Sequence, residues 1–249
     1  MWAEGKTVNM GWLSIGHTFT AELMARQGFD SLCVDLQHGT VEINHVLPML
    51  QAIGQTDVSP VVRVRTNEAG EIMKVLDLGA MTVIVPLINT AEDAARAVAA
   101  CRYPPVGNRS SGPIRALHYG GPDYQAKAND EVLVLGMIET KEGLANLEAI
   151  CATPGLDAVY IGPADLSLAL GLPPQGDNPN PLHIATCDRI LETAHRHGKK
   201  ACMHCQSAAF AAGAIQRGFD LVMLGSDVAC LLGSARRLVE DYKSAVTTK

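Results

Sequence analysis

No block of Lys or Arg occurs anywhere in these 249 residues, and the formal net charge is −6. A nucleic-acid surface needs clustered cations, so binding to DNA or RNA is not expected. Long apolar runs are missing as well. The longest, such as residues 81–88, are strand-sized and far short of the roughly 20 residues that span a membrane. No linker or low-complexity tract divides the chain, so one domain over residues 1–249 is expected. The opening Met-Trp-Ala-Glu-Gly-Lys has neither the charged nor the apolar region of a signal peptide. The seven cysteines are scattered: Cys33, Cys101, Cys151, Cys187, Cys202, Cys205 and Cys230. A secreted disulfide framework would be small, loop-rich and usually even in number. The expectation is therefore a reducing, cytoplasmic setting with mostly buried thiols.

What the sequence does contain is core. Hydrophobic residues make up 47% and charged residues 18%, the opposite of a disordered composition. Short, near-continuous apolar runs read as parallel strands buried on both faces. They cover 8–15, 31–36, 60–65, 82–88, 133–139, 158–162, 200–205 and 221–225. Segments of helical period lie between them. Thr90-Ala-Glu-Asp93 is a capping box with Asp93 in the place of the preferred Glu. Ala94, Ala97, Val98 and Cys101 then fall on one helix face, and Leu144, Leu147 and Ile150 on another. Gly28, Gly79, Gly155 and Gly218 each close a helix just before a strand. Eight such units predict an α/β fold, a closed (β/α)8 barrel of the TIM type. The rival, an open doubly wound sheet, lacks a Gly-rich dinucleotide fingerprint after the first strand. The stretch 103–116, with Pro104, Pro105, Gly107, Gly112 and Pro113, predicts a functional loop.

In such a barrel the chemistry belongs where strands end and βα loops begin. The second run ends in Asp35-Leu-Gln-His38, the third in Arg63-Val-Arg65, the fifth in Glu139, and the sixth enters Gly162-Pro163-Ala164-Asp165. Glu139 and Asp165 lie on consecutive strands. Two hard oxygen ligands suit Mg²⁺ or Mn²⁺ with water and a chelating substrate; one carboxylate paired with Arg63, or capping a helix, is the plainer alternative. The Gly162–Asp165 turn opens a helix whose amides suit a substrate carboxylate, or it is only a turn. His38 suits a base or proton shuttle with Asp35 or Asp77 orienting its ring, or a simple hydrogen-bonding role. Arg63 suits an oxyanion, or an internal salt bridge.

Two features point elsewhere and are set aside. Cys202-Met-His-Cys205 has no second pair to complete a zinc site, and strand alternation puts its two thiols on opposite faces. Lys141 stands at a helix start, where a solvated Lys is ordinary, so a Schiff base is not expected there.

Six segments in order resemble the HpcH/HpaI aldolase/citrate lyase family, specifically its metal-dependent pyruvate aldolases. They are Gly-Phe-Asp-Ser-Leu-Cys-Val-Asp-Leu-Gln-His-Gly at 28–39, Pro-Val-Val-Arg-Val-Arg at 60–65 and Val-Leu-Asp-Leu-Gly-Ala at 75–80. Arg-Tyr-Pro-Pro-Val-Gly-Asn-Arg at 102–109, Met-Ile-Glu-Thr at 137–140 and Tyr-Ile-Gly-Pro-Ala-Asp-Leu-Ser at 160–167 complete the set. The resemblance implies a barrel of the phosphoenolpyruvate/pyruvate-binding type and a class II aldolase that cleaves 4-hydroxy-2-oxo acids to pyruvate and an aldehyde. It implies Glu139 and Asp165 as ligands of a divalent metal (Mg²⁺, Mn²⁺ or Co²⁺), and Arg63 at the enolate oxygen. It implies His38 in proton transfer with Asp35 supporting it, and the amides of Gly162, Pro163, Ala164 and Asp165 near the pyruvate carboxylate. Pro163 has no N–H of its own. Oxaloacetate decarboxylation would pass through the same enolate. The resemblance also implies a homo-hexamer, a dimer of trimers. Gln37 and Met137 depart from the Glu and Gln that many relatives carry, and leave substrate choice open. Two other functions stay in view: a citrate-lyase-like enzyme acting on acyl-CoA, for which no clear basic cluster is visible although Arg236-Arg237 is a small one, and a non-catalytic barrel that binds 2-oxo acids.

Overall fold

The computed structural model describes residues 1–247, and in it eight parallel strands close on themselves in chain order, the last pairing with the first. They are β1 Val8–Leu13, β2 Ser31–Asp35, β3 Ser59–Arg63, β4 Thr82–Val85, β5 Leu133–Ile138, β6 Ala158–Ile161, β7 Lys200–His204 and β8 Leu221–Ser226. Each coincides with one of the eight apolar runs, and the closed barrel is the fold those runs predict. The helices follow as α1 Thr18–Ala25, α2 Ile43–Ile53, α3 Ala69–Asp77, α4 Ala91–Cys101, α5 Ile114–Gly120 and α6 Tyr124–Glu131. After β5 come α7 Lys141–Ala145, α8 Leu147–Cys151, α9 Pro163–Ala169, α10 Pro181–Arg196, α11 Ala208–Arg217 and α12 Asp227–Thr247.

Alternation along the strands divides the buried residues into two cores. Val34, Val62, Val83, Val134, Val159 and Val222 face outward into the larger core between sheet and helices. Trp12, Ile84, Leu135, Met137, Tyr160 and Met223 face the barrel axis. Both faces of each strand are therefore dry, which is why the runs are continuous rather than alternating. Cutting one of these side chains to Ala would cost about 2–5 kcal/mol through lost transfer energy and the cavity left behind. The C-x-x-C pair follows the same division: Cys202 lies inside the barrel and Cys205 outside it. Burial, the largest cause, pushes the Cys205 thiol up to about 12 and Cys202 well above the ordinary range. All seven cysteines are free, and six are buried.

Local signals behave as their chemistry requires. Thr90 Oγ1 accepts the Asp93 N–H at 3.1 Å, and Asp93 Oδ2 accepts the Thr90 N–H at 3.1 Å, so α4 starts on the predicted capping box. Gly28, Gly79, Gly155 and Gly218 all have positive φ, between 79° and 109°, a region that penalises any Cβ. The stripe at Leu144, Leu147 and Ile150 is split between α7 and α8. Asn146 interrupts it by leaving helical geometry and donating from Nδ2 to Asn89 O at 2.8 Å.

The long irregular stretch is pinned to the outside of the barrel. Arg109 is fully buried there. Its Nη2 donates to Asp77 Oδ1 at 2.9 Å, its Nη1 donates to Tyr124 Oη at 3.0 Å, and its guanidinium covers the Tyr103 ring at 4.6 Å. Asp77 is thus engaged in the outer layer and does not orient His38. At the other end of the chain, Asp227 is the one buried residue of α12. Its carboxylate accepts the N–H groups of Ser14 and Ile15, both at 3.0 Å, tying the start of α12 to the loop after β1. Beyond that point α12 leaves the barrel and exposes Leu231, Leu232, Leu238, Val239, Tyr242 and Val246.

Candidate active site

The C-terminal ends of the strands surround a cavity of about 520 Å³, and His38, Arg63, Glu139, Gly162, Pro163, Ala164 and Asp165 all line it. The strand-end rule gathers them because every parallel strand delivers its last inward side chain to the same mouth. Asp35 stands directly behind this wall.

Glu139 follows β5 and is only 3% exposed. Its Oε1 accepts the backbone N–H of Leu87 at 3.0 Å. Leu87 has φ 55°, a left-handed conformation unusual outside glycine, although its side chain is half exposed and has no packing reason for it. The strained turn aims an amide at the carboxylate. Burial raises the Glu139 pKa to about 7; the neighbouring Asp165 charge adds to the rise, and the Leu87 N–H and Arg63 oppose it. Gly162 completes the fit. A Cβ there would meet Glu139 Oε2 at 2.2 Å and Met137 Cε at 2.9 Å.

Asp165 sits in the first turn of α9, with Pro163 opening the helix and Gly162 before it. Pro at the first helical position costs nothing, because that N–H would be unpaired anyway. The Leu166 N–H donates to Gly162 O at 3.0 Å. The amides of Ala164 and Asp165 precede it in the turn and have no helical acceptor.

Arg63 ends β3 beside the end of β2, where the register pairs it with Asp35. Its Nε donates to Asp35 Oδ1 at 2.8 Å and its Nη2 to Asp35 Oδ2 at 2.7 Å, a bidentate grip in a buried place. Asp35 also accepts the Trp12 indole N–H at 3.1 Å and the Gln37 backbone N–H at 3.0 Å. Burial alone would raise the Asp35 pKa, but the Arg63 hydrogen bonds and charge outweigh it and hold the carboxyl below its ordinary value. Both oxygens are thus committed to Arg63, Trp12 and Gln37. In this geometry Asp35 braces Arg63 and makes no hydrogen bond to His38, contrary to the role expected for it. His38 itself sits exposed in the turn after β2, facing the cavity.

Other predicted features separate from the site. Lys141 is exposed at the start of α7 and is absent from the cavity wall. The irregular stretch 103–113 contributes nothing to it either. Gly176, from the loop before α10, does line it, beside Gln206. Asp177 holds these loops together by accepting the Gln206 N–H at 2.7 Å and the Ser207 hydroxyl at 2.6 Å. Met137 lines the cavity, and the Gln37 side-chain oxygen is buried without a hydrogen-bond partner among the described residues.

Three aromatic residues of the site escaped the sequence reading. Trp12 lies under the Arg63 guanidinium, 4.7 Å from ring centroid to Cζ. His204 meets Trp12 edge-on at 4.9 Å, and its Nδ1 lies 3.0 Å from Tyr160 Oη. Alternation through β7, which places His204 on the same face as Cys202, is the signal that could have revealed it.

The donor set can be tested against a metal. Among the described residues no group of three or more His, Cys, Asp and Glu side chains is arranged to hold an ion. Two neighbouring carboxylates are present instead, one of them buried and pushed toward neutrality. Such a pair is costly without a cation, and hard divalent ions bound through one or two carboxylates keep their other positions for water and substrate. The residues fit a Mg²⁺-like ion better than a zinc site.

Comparison with known proteins gives a consistent result. The family described as HpcH/HpaI aldolase/citrate lyase matches residues 9–233. A hydroxypyruvate/pyruvate aldolase of Rhizorhabdus wittichii is 39% identical, over 98% of this chain and 97% of that protein. A 5-keto-4-deoxy-D-glucarate aldolase of Salmonella paratyphi C is 36% identical, over 93% and 91%. The crystal structure of an HpcH/HpaI aldolase/citrate lyase family protein from Burkholderia cenocepacia superposes with TM-score 0.89 at 33% identity, over 96% and 95% of the two chains.

Proposed function

Because the chain belongs to the HpcH/HpaI aldolase/citrate lyase family, we propose that it is a class II aldolase, a carbon–carbon lyase that joins or cleaves a 2-oxo acid such as pyruvate and an aldehyde through an enolate. The relatives' names agree on aldol chemistry and differ in substrate. One observation carries the reading: a buried carboxylate and its acidic neighbour stand in the same mouth as an arginine whose direction is fixed by a bidentate carboxylate.

Each residue has a part. Glu139 and Asp165 would hold a divalent cation such as Mg²⁺, Mn²⁺ or Co²⁺, which when bound supplies Lewis acidity toward the carboxylate and keto oxygens of the 2-oxo acid. The amides of Ala164 and Asp165 receive the donor carboxylate. Arg63 uses Nε and one Nη2 hydrogen on Asp35, which leaves Nη1 for the oxygen that becomes negative as the methyl proton departs. His38 takes that proton, directly or through a water. The enolate carbon then bonds to the aldehyde carbon, and His38 returns the proton to the new alkoxide. In the cleavage direction the same groups act in reverse order. Residues 1–249 form one such unit in this reading.

The assembly and setting follow the same argument. We read the enzyme as a homo-oligomer, a hexamer by resemblance, supported by the apolar residues that α12 leaves uncovered. Seven free thiols support a reducing, cytoplasmic setting, and no described helix is long and apolar enough to cross a membrane. The acyl-CoA alternative gains nothing here: Arg236 and Arg237 lie on the exposed length of α12, beyond Ala229, where the cavity wall ends.

Deuterium exchange at the pyruvate methyl group, followed by proton NMR with EDTA and with added Mg²⁺ or Mn²⁺, tests the proposal. Exchange that stops with EDTA and returns with metal is the expected result. Exchange that survives EDTA, or none under any condition, would overturn it.

A further inference from the structure

The barrel interior holds an imidazole that the proton transfers above do not use. His204 ends β7, where the register pairs Tyr160 with Cys202 and Ile161 with Met203. It therefore stands level with Gly162, one strand along. Its ring packs against Trp12 and Tyr160, and its free edge lines the cavity beside Gln206, Met223, Gly225 and Ser226.

The surroundings decide which nitrogen carries the proton. Tyr160 is fully buried, and its hydroxyl has no partner among the described residues besides His204 Nδ1. Burial, with Cys33 next, pushes the phenol pKa well above its ordinary value, so the hydroxyl keeps its hydrogen. An O–H that donated to nothing in this interior would forfeit its solvation without return. Tyr160 therefore donates and Nδ1 accepts, which places the single imidazole hydrogen on Nε2. Burial, followed by the Arg63 charge, lowers the His204 pKa to about 3, so the ring is neutral. Nε2 makes no hydrogen bond among the described residues, and it is the nitrogen turned away from Tyr160.

We propose that His204 is a specificity-determining residue, donating Nε2–H to an uncharged hydroxyl of the substrate on or beside a carbon of the new bond, so that the enzyme selects hydroxylated substrates over their deoxy counterparts. The proposal rests on the aldolase reading. In that reading the donor's carboxylate and keto oxygen are taken by the β6–α9 turn and Arg63, which leaves the wall of β7, β8 and β1 for the remaining oxygen. A neutral donor suits a hydroxyl; a carboxylate would call for a cation on this wall. The hydroxyl has two possible sources: C3 of a 3-hydroxy-2-oxo acid donor, or C2 of the acceptor aldehyde.

The experiment compares kcat/KM in two pairs, hydroxypyruvate against pyruvate with one acceptor, and glycolaldehyde against acetaldehyde with pyruvate. Each ratio is measured for wild type, His204→Phe and the double variant His204→Phe/Tyr160→Phe. The double variant removes both partners and leaves no buried hydroxyl unpaired, which protects the test if the single variant fails to fold. The hydroxylated-to-deoxy ratio should fall about tenfold in one pair, the size of one lost neutral hydrogen bond. A fall in the first pair assigns the donor's hydroxyl, and in the second the acceptor's. Ratios unchanged in both pairs would overturn the proposal. Failure of the aldolase reading itself would be seen separately, as wild-type protein that exchanges no pyruvate methyl protons.

Discussion

Gly162→Ala is the sharpest perturbation of the carboxylate site, because its tightest contact is with Glu139, the next being the flexible end of Met137. Gly162 has φ −91° and ψ 96°, a conformation that alanine adopts without strain. The new methyl would meet Glu139 Oε2 at 2.2 Å, whereas ordinary contact begins near 3.4 Å. Glu139 is buried and held by the Leu87 N–H, so relief requires the carboxylate to retreat by about 1 Å, and a displacement of that size costs on the order of 100-fold in rate. The strain left in the fold is about 1–3 kcal/mol. In a protein of this size that is a melting shift of roughly 2–4 °C per kcal/mol. We expect pyruvate methyl exchange to fall about 100-fold, a loss of about 2.7 kcal/mol in transition-state stabilisation. Mn²⁺ affinity, measured by calorimetry, should fall about 10- to 100-fold. Glu139→Ala removes the closer clash and leaves only the flexible Met137 Cε at 2.9 Å, so on that background Gly162→Ala should shift the melting temperature less. Wild-type exchange and Mn²⁺ binding in Gly162→Ala would refute the reasoning, as would an equal melting shift on both backgrounds.

Asp35→Ala should destabilise by about 3–5 kcal/mol, because it leaves the buried Arg63 charge unpaired; thermal melting checks this, and Asp35→Leu/Arg63→Met should melt higher than Asp35→Ala. His38→Ala, at an exposed position, should stay within about 0.5 kcal/mol of wild type in the same assay and yet lose methyl exchange. The metal-free enzyme should lose stability as pH rises between about 4.5 and 7. Glu139 titrates near 7 in the fold against an ordinary 4.5, so the folded state binds the extra proton in that window, a difference worth on the order of 3 kcal/mol. Melting curves in EDTA across this range should show the decline, and Glu139→Gln should remove it. Leu87→Gly relieves a left-handed backbone and should hold or raise stability by up to about 1 kcal/mol with exchange intact; a large loss of activity would mean that the side chain, rather than its amide, matters.

The parts of the molecule legible from sequence are those set by local rules. The eight strands declared themselves because burial on both faces leaves a continuous apolar run, and Thr90, Asp93 and the helix-closing glycines because caps and turns have short-range chemistry. Arg63, Glu139, His38 and Asp165 could be nominated because each is an ionisable group at the end of an apolar run. What a side chain touches is a different matter, since it depends on closure of the barrel. Asp35 lies three residues from His38 in sequence, yet the β2–β3 register sets it against Arg63. In the proposed reading, Asp35 then stiffens the oxyanion donor rather than orienting His38.

The same distinction explains His204. In Cys-Met-His-Cys it looks like the centre of a metal motif, and in a buried strand it looks like a core histidine. Neither view holds once alternation is followed to the mouth of the barrel. Cys202 and His204 face the axis, Met203 and Cys205 face the helices, and the last inward position of a parallel strand is a wall of the active cavity. Tyr160, one strand away and one layer deeper, reaches up to the His204 ring, so a polar pair stands where the neighbouring strands supply apolar or small residues. In the proposed reading the carboxylates and Arg63 define what every donor must present, and His204 stands outside that chemistry. Substrate choice in this fold is therefore most economically altered at the ends of β7 and β8, on the wall that the reaction leaves unassigned.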